Sequence, residues 1–448
     1  MNINKKGTPL CSLTELKSTV LSGALDTTFE ALSAVGGAQA ERDRIVALIE
    51  TFAQAYGEDR EVALLTVSGR SELSGNHTDH NHGCVIAASV NLEILAIASP
   101  RRDSIVRLTS AGFGEDVVDL SAYTKPDEAK YGSSASLIAG VCAGLVRDGY
   151  QIGGFDACTV SSVLTGSGLS SSAAFEDMIG TIESHLYNGG EVDNVTVAKI
   201  AQYAENQFFG KPCGLMDQVA CAVGGIVAID FADPSAPVIT PVPFDMTAAG
   251  YRLCIVDTGG NHADLTADYA SVPAEMKAVA AVFGAPVLRD LDEAVVKNSI
   301  PTLRERVGDR AILRALHFYA ENRRVAAQKE ALLTACASKD EAVISKALDI
   351  YFENVLASGR SSFCYLQNVY TTANVSEQGL SLALNLCESL LGGTKAAWRV
   401  HGGGFAGTVQ AYVPNDLVET FTATMDAAFG RGACKCLAIR PVGAARIY

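Results

Sequence analysis

The stretch VSSVLTGSGLSSSAAFEDMIGTIESHL, residues 160–186, decides how the chain is read. A strand runs into Gly166, Ser167 and Gly168, then into three serines, then into a helix. That helix carries Phe175, Met178, Ile179, Ile182 and Leu186 at helical spacing. Glycines let the backbone approach a ligand closely. The unpaired N–H groups and positive dipole end of the helix favour an anion there. Serine hydroxyls add hydrogen bonds to phosphate oxygens or a ligand for Mg²⁺. The lysine of a Walker loop is absent, which excludes an ordinary P-loop NTPase. Taken alone, a serine-capped helix after a glycine turn explains the segment equally well.

Outward from that loop, the chain has 448 residues, 48% of them apolar, enough for a large core and for two domains. The net charge is −15 with no long basic run, which argues against nucleic acid and anionic membranes. No stretch approaches the ~20 apolar residues of a membrane span, and MNINKKGTPLCSLTEL has no signal-peptide core. The 12 cysteines are scattered without paired metal spacing, which fits reduced thiols in the cytoplasm. TELKSTVLSGAL and ERDRIVALIETFAQAYG have helical periodicity; EVALLTV, CVIAASVNLEILAIASP, FDACTVSSVL and YRLCIVDT read as strands. YGSSASLIAGVCAGLVRDG reads as a helix, and 273–360 as several more. Two strands around a Pro-rich turn near 225–245 mark the expected domain boundary. Strands and helices mix without regular βαβ alternation, so the expected class is α+β.

Three further segments carry polar chemistry. GRSELSGNHTDHNHG, residues 69–83, holds an arginine, an aspartate and three of the chain's 7 histidines. A metal site, a catalytic site and a polar turn are all compatible with it. YAENQFFGKPCGLMDQVACAVGG breaks between two helices at Gly210-Lys211-Pro212, so Glu205 and Asp217 approach one pocket from different elements. Solvated surface carboxylates are the plain alternative. RVHGGGFAGTVQAYV places Gly402 to Gly404 between two strands, where glycines weaken pairing unless a ligand or another backbone approaches.

In this order, GRSELSGNHTDHNHG, GSGLSSSAA, AENQFFGKPCGLMDQ, HADLTADY (262–269) and GGGFAG resemble the GHMP family of small-molecule kinases, and within it the galactokinases. The resemblance spans about residues 50–448. It implies a two-lobed α+β fold, each lobe a mixed or antiparallel sheet with helices and the active site in the cleft between them. The expected division is a helical extension over 1–45 and domains over 46–235 and 236–448. By the same resemblance, Asp217 and Arg70 are the catalytic residues. Asn76, His77, Asp79, Gly214, Asp217 and Tyr269 hold the sugar. Gly166, Ser167, Gly168, Leu169, Ser170, Ser171 and Ser172 bind ATP, and Ser172 and Glu205 bind Mg²⁺. The histidine cluster becomes a sugar-binding turn, with a metal at His77, His80 and His82 as the minor alternative.

The implied reaction is ATP-dependent phosphorylation of a hexose at its anomeric hydroxyl, with galactose first. The expected partners are a small-molecule sugar and ATP, without nucleic acid or membrane, and the expected state is a cytoplasmic monomer. Three departures stand out. Asn76 replaces a family glutamate expected to face the C6 end of the sugar, which makes galacturonate the second substrate choice. The family's adenine-pocket segment WxxYVxGV is SASLIAGV here, leaving Tyr131 or the single Trp398 as replacement aromatics. The N-terminal ~45 residues have no counterpart in the family pattern. A non-catalytic sugar and ATP sensor is the reading from another class; the complete GLSSSAA loop, Arg70, Glu205 and Asp217 argue for catalysis.

Overall fold

A computed structural model describes residues 3, 7–32, 37–163, 169–211, 213–259, 266–372 and 375–448. Gly166, Ser167 and Gly168 lie outside the described residues, as does the first half of HADLTADY, residues 262–265. The chain divides into two compact units. The first comprises 1–71, 88–225 and 440–448; the second comprises 72–87 and 226–439.

In the first unit the strands run in the order Cys11–Ser12, Glu61–Ser74, Cys84–Pro100, Phe155–Ser161, Ile105–Ser110, Glu115–Asp119, with Ala445–Arg446 also pairing Glu61–Ser74. Ile105–Ser110 and Phe155–Ser161 pair in parallel, with Leu108 opposite Ala157, whereas Cys84–Pro100 and Phe155–Ser161 pair antiparallel, with Ile97 opposite Cys158. Val62 and Leu64 face a cluster with Leu16, Val20, Phe29, Ile45, Ile49 and Phe52 of the N-terminal helices Leu13–Leu21, Asp26–Leu32 and Gly37–Tyr56. The N-terminal extension is therefore a structural layer of this unit. Emptying the fully buried Phe52 site to alanine costs about 3–5 kcal/mol. Alternate residues Ala63, Leu65 and Val67 are also buried, so the sheet is covered on both faces.

The second helical layer contains Ser134–Arg147, Ser171–Tyr187, Asn194–Ala204 and Met216–Val223, which pack on one another. Ser171–Tyr187 departs from the expected apolar stripe. Phe175 and Leu186 are only partly buried, while Glu176, Asp177 and Glu183 are buried. Helices on three sides bury its polar face as well as its apolar one.

The second unit holds a four-stranded antiparallel sheet in the order Ala397–His401, Thr408–Pro414, Tyr251–Asp257, Cys434–Leu437. Val256, Val400 and Val409 of this sheet pack under Leu380, Cys387 and Leu391 of helix Gly379–Leu391 and Phe421 and Met425 of helix Val418–Phe429. The long helices Asp309–Ala337 and Glu341–Ser361 pack together. The hairpin Ile226–Asp230 and Val238–Val242 matches the two strands expected near 225–245.

The expected contiguous domains differ from these units in three places. The boundary falls between Gly225 and Ile226. Residues 72–87 belong with the second unit, and 440–448 return to the first. The cause is strand length: Glu61–Ser74 and Cys84–Pro100 have 14 and 17 residues, so each runs on from one unit into the other.

Candidate active site

In the first unit, Arg70 grips Asp217 with two parallel hydrogen bonds, Nε to Oδ1 and an outer guanidinium nitrogen to Oδ2, both 2.8 Å. Arg70 sits near the end of strand Glu61–Ser74, and its backbone N–H donates to the Leu169 carbonyl at 3.2 Å. Asp217 lies in the first turn of helix Met216–Val223, where the helix dipole favours a negative charge. Ser170 adds a third hydrogen bond, its hydroxyl donating to Asp217 Oδ2 at 2.5 Å. Ser170 adopts a left-handed backbone (φ 57°) immediately before helix Ser171–Tyr187, a conformation that costs a non-glycine residue about 1–3 kcal/mol. Burial raises the Asp217 carboxyl, but the Arg70 charge and the hydrogen bonds from Arg70 and Ser170 outweigh it, and its pKa lies below the usual carboxylate value. The side chain remains 34% exposed, so the ionised carboxylate is reachable.

A second polar chain runs alongside. Glu205 opens a π-helical turn, Glu205–Phe209, that ends at Gly210. Such turns re-aim a side chain within a helix. Glu205 Oε1 pairs with Lys211 Nζ at 2.9 Å, and its Oε2 accepts from Gln218 Nε2 at 2.9 Å. Gln218 Nε2 also donates to Glu176 at 3.2 Å. Glu176 Oε1 and Gln218 Oε1 are buried without a hydrogen-bond partner. Burial, then the charge of Glu205, pushes the Glu176 carboxyl well up. The unsatisfied Glu176 Oε1 and Gln218 Oε1, with Ser172 one turn before Glu176 on helix Ser171–Tyr187 and the Glu205 carboxylate sharing Gln218, are hard oxygen donors of the kind Mg²⁺ takes. That ion commonly takes one or two carboxylates and fills its shell with water and substrate phosphates. Asp177, one residue on, has both carboxylate oxygens buried and unpartnered, and burial and the Asp217 charge raise its pKa strongly.

Gly214 lies in the loop before Asp217. That loop is held by Cys213, whose N–H donates to Asn206 Oδ1 at 2.7 Å and whose carbonyl accepts from Gln202 at 3.2 Å. Tyr131 belongs to this unit, is 42% exposed, and lies against Gly210. Trp398 belongs to the other unit and packs against its core.

The second unit contains the histidine turn. Gly75 (φ 97°) has no room for a Cβ against Cys84 and Val85, which fixes the reversal between the two long strands. His77, also left-handed (φ 60°), is buried, and its Nε2–H donates to the Gly403 carbonyl at 2.9 Å. Burial lowers its pKa to about 4, so the ring is neutral at pH 7. Tyr269 lies beside it with ring centroids 5.2 Å apart and the rings tilted by 53°, and it covers Gly403 so closely that a Cβ there would strike the ring. The expected close approach to the glycine triplet is thus an aromatic ring at Gly403 and the Asn368 backbone at Gly404. Asp79 is partly buried, with its carboxylate 3.9 Å from His80 Nε2. Among the described residues no group of three or more His, Cys, Asp or Glu is arranged to hold a metal.

Asn76, expected among the residues that hold the sugar, has its side chain turned into the protein. It is fully buried, and its side-chain amide is engaged within the protein. Nδ2 donates to the Gly402 carbonyl at 2.7 Å, while Oδ1 accepts from Asn368 at 2.8 Å and from Ser362 at 3.3 Å. These bonds engage the amide on which the galacturonate alternative depended, and that alternative is not favoured.

Sequence reasoning missed Lys211, Gln218, Asn368, His317 and Glu321. Lys211 and Gln218 stood inside a quoted motif. His317 and Glu321 are four residues apart on helix Asp309–Ala337, a same-face spacing that was open to reading. Asn368 carries no local signal.

Residues 136–225 match the GHMP kinases N terminal domain, and 50–100 match the galactokinase galactose-binding signature. The first match ends at Gly225, where the chain leaves the first unit. The chain is 32% identical over 392 residues to a galactokinase of Streptomyces coelicolor, covering 86% of this chain and 93% of that protein. It is 29% identical over 372 residues to a galactokinase of Actinobacillus pleuropneumoniae, covering 83% and 90%. In structure it is similar to Lactococcus lactis galactokinase complexed with galactose, with a TM-score of 0.72, 24% identity, and coverage of 90% of this chain and 99% of that one. It is also similar to Methanococcus jannaschii mevalonate kinase, with a TM-score of 0.57 at 12% identity and coverage of 85% and 98%.

Proposed function

This chain belongs to the galactokinase family of GHMP kinases, and on that premise we propose that it transfers the γ-phosphoryl group of ATP to the anomeric hydroxyl of galactose, giving α-galactose 1-phosphate and ADP. The observation that carries the chemistry is the Arg70–Asp217 pair with Ser170 bonded to the same carboxylate.

Phosphoryl transfer asks a protein for alignment and charge stabilisation more than for covalent help. Arg70, fixed by two hydrogen bonds, supplies a cation whose direction is set before substrate arrives. Asp217 is ionised and weakly basic, which suits a group that orients the sugar hydroxyl and takes its proton late. The new O–P bond forms as the bond to the ADP oxygen breaks. Leu169, Ser170, Ser171 and Ser172 present N–H and hydroxyl donors at a helix start to the phosphates; Gly166, Ser167 and Gly168, assigned to ATP by the resemblance, lie outside the described residues. Glu205 and Ser172 would hold Mg²⁺, which neutralises phosphate charge when bound. Lys211 balances Glu205 from the other side, and Gln218 fixes its second oxygen.

For the sugar, the resemblance assigns Gly214 and Asp217 in the first unit. In the second unit it assigns His77, Asp79 and Tyr269. A neutral His77 whose Nε2–H is committed to Gly403 leaves Nδ1 as a hydrogen-bond acceptor. Tyr131, exposed beside Gly210, is the aromatic we assign to the nucleotide base. No helix among the described residues is long and apolar enough to cross a membrane. All twelve cysteines are unpaired, which supports a reducing, cytoplasmic setting.

The test is an ADP-release assay with Mg·ATP over galactose, galacturonate, arabinose, glucose and N-acetylgalactosamine. Galactose-dependent release supports the reading. No release with any sugar, with galactose binding intact by calorimetry, favours the sensor instead.

A further inference from the structure

We propose that Asn76 is a positioning residue, a hydrogen-bond clamp that with Asn368 fixes the Gly402–Gly404 loop and through it the attitude of His77 and Tyr269. The inference deepens the sugar-site reading above and rests on it for its kinetic consequences.

The geometry lies wholly within the second unit. Asn76 Nδ2 holds the Gly402 carbonyl. Asn368 Nδ2 donates both to Asn76 Oδ1 at 2.8 Å and to the Gly403 carbonyl at 3.2 Å. His77 holds that same Gly403 carbonyl, and the Tyr269 ring lies on Gly403. One loop position therefore sets two side chains. Gly402 and Gly404 are both left-handed (φ 68° and 79°), so their own backbone offers little preference to hold the loop in place. Asn76 is anchored in turn: its carbonyl accepts from His317 Nε2 at 3.0 Å, and its N–H donates to Glu321 at 3.4 Å. The clamp needs an amide. A donor must face the Gly402 carbonyl while an acceptor faces Asn368 and Ser362, and a carboxylate can supply only the second.

That asymmetry gives the test. Asn76→Asp keeps the shape and the acceptor but sets a second oxygen against the Gly402 carbonyl. Protonating the introduced carboxyl restores a donor. The ionisable groups around it are His77 on the same turn, His317, Glu321 and Arg324 on helix Asp309–Ala337, and Arg399 on strand Ala397–His401. Glu321 stays charged, with a pKa lowered to about 2: burial works against its charge, but Arg324, His317 and Arg399 outweigh it. Burial lowers the pKa of both histidines, that of His77 to about 4. Wild type measured at each pH carries the response of these native groups, so the difference between Asn76→Asp and wild type reports the introduced carboxyl.

At about pH 8 the galactose KM of Asn76→Asp is expected to rise roughly tenfold, the loss of one buried hydrogen bond, with the ATP KM unchanged. At about pH 5.5 it should return to within about twofold of wild type at that pH, whereas Asn76→Ala stays impaired at both. Hydrogen exchange over 402–407 should follow the same pattern against wild type at each pH, without needing catalysis. A wild-type KM and wild-type exchange for Asn76→Asp at the higher pH overturn the clamp, as does a defect with no recovery on acidification. If Asn76→Asp does not fold, Asn368→Ala decides: faster exchange over 402–407 at a near wild-type melting temperature supports the clamp, and unchanged exchange overturns it. Should wild-type protein phosphorylate no sugar while exchange responds as described, the functional reading fails and the clamp stands.

Discussion

Arg70 and Asp217 meet in a two-pronged ion pair, each prong 2.8 Å, with the carboxylate a third exposed and the guanidinium nearly buried. Such a pair is rigid, and its charges point where they are built to point. Asp217→Asn keeps the shape and removes the charge. Its kcat is expected to fall by roughly 10²–10³ while the galactose KM moves only a few-fold. Because Arg70 holds the Asp217 pKa below the usual value, the carboxylate is charged throughout the range above about pH 4. No acid limb from Asp217 should appear in the kcat profile of the wild type between about pH 5 and 8. Near wild-type kcat in the variant contradicts the assignment.

Glu205 is bonded on both oxygens, to Lys211 and Gln218, and shares Gln218 with Glu176. Glu205→Gln should raise the half-saturating Mg²⁺ concentration about tenfold, the effect of losing one charged ligand. Galactose binding, followed by calorimetry without nucleotide, should be unchanged. An unaltered Mg²⁺ titration would show that Glu205 is not a ligand.

Asp177 is a buried carboxyl with no partner for either oxygen. Its folded-state pKa is raised by burial first and the Asp217 charge second. The folded protein keeps a proton that the unfolded chain releases above about pH 4, so this group lowers stability progressively as pH rises from there toward the folded pKa. Asp177→Asn removes the proton uptake. The variant should melt higher than wild type at about pH 8, with the gap closing toward about pH 4. A variant that melts lower at every pH contradicts this account.

His77 titrates in the opposite sense. Burial lowers its pKa to about 4, so below about pH 6.5 the unfolded chain binds a proton that the folded protein refuses. Stability should decline as pH falls from about 6.5 to 4, by about 3 kcal/mol at most from this residue. His77→Gln retains a donor for Gly403 and does not titrate; its urea midpoint should fall less over that range. Equal pH slopes for the two proteins would show that His77 is protonated in the folded state.

Much of this site was legible because its residues lie in short contiguous motifs. Arg70 and Asp217 each stood in a stretch whose chemistry could be named, and the strand–glycine–serine–helix order around Ser170 announced an anion site. What stayed hidden depends on packing between distant segments. The partners of the Asn76 side chain lie 286, 292 and 326 residues away, and nothing local marks Ser362, Asn368 or Gly402 as its neighbours. Glu176, Asp177 and Glu183 look solvated on a helical wheel and are buried because other helices cover that face. The division at 71/72 and 87/88 follows from two strands being long enough to serve both units, which hydrophobic pattern alone does not disclose.

The central claim is that the anomeric oxygen of galactose receives the phosphoryl group. Following purified protein, Mg·ATP and galactose by ³¹P and ¹H nuclear magnetic resonance tests it most directly. The account predicts one new sugar phosphate, coupled to an α-anomeric proton, accumulating in step with ADP. Phosphate on another carbon, ADP formed without a sugar phosphate, or no turnover of ATP would contradict it.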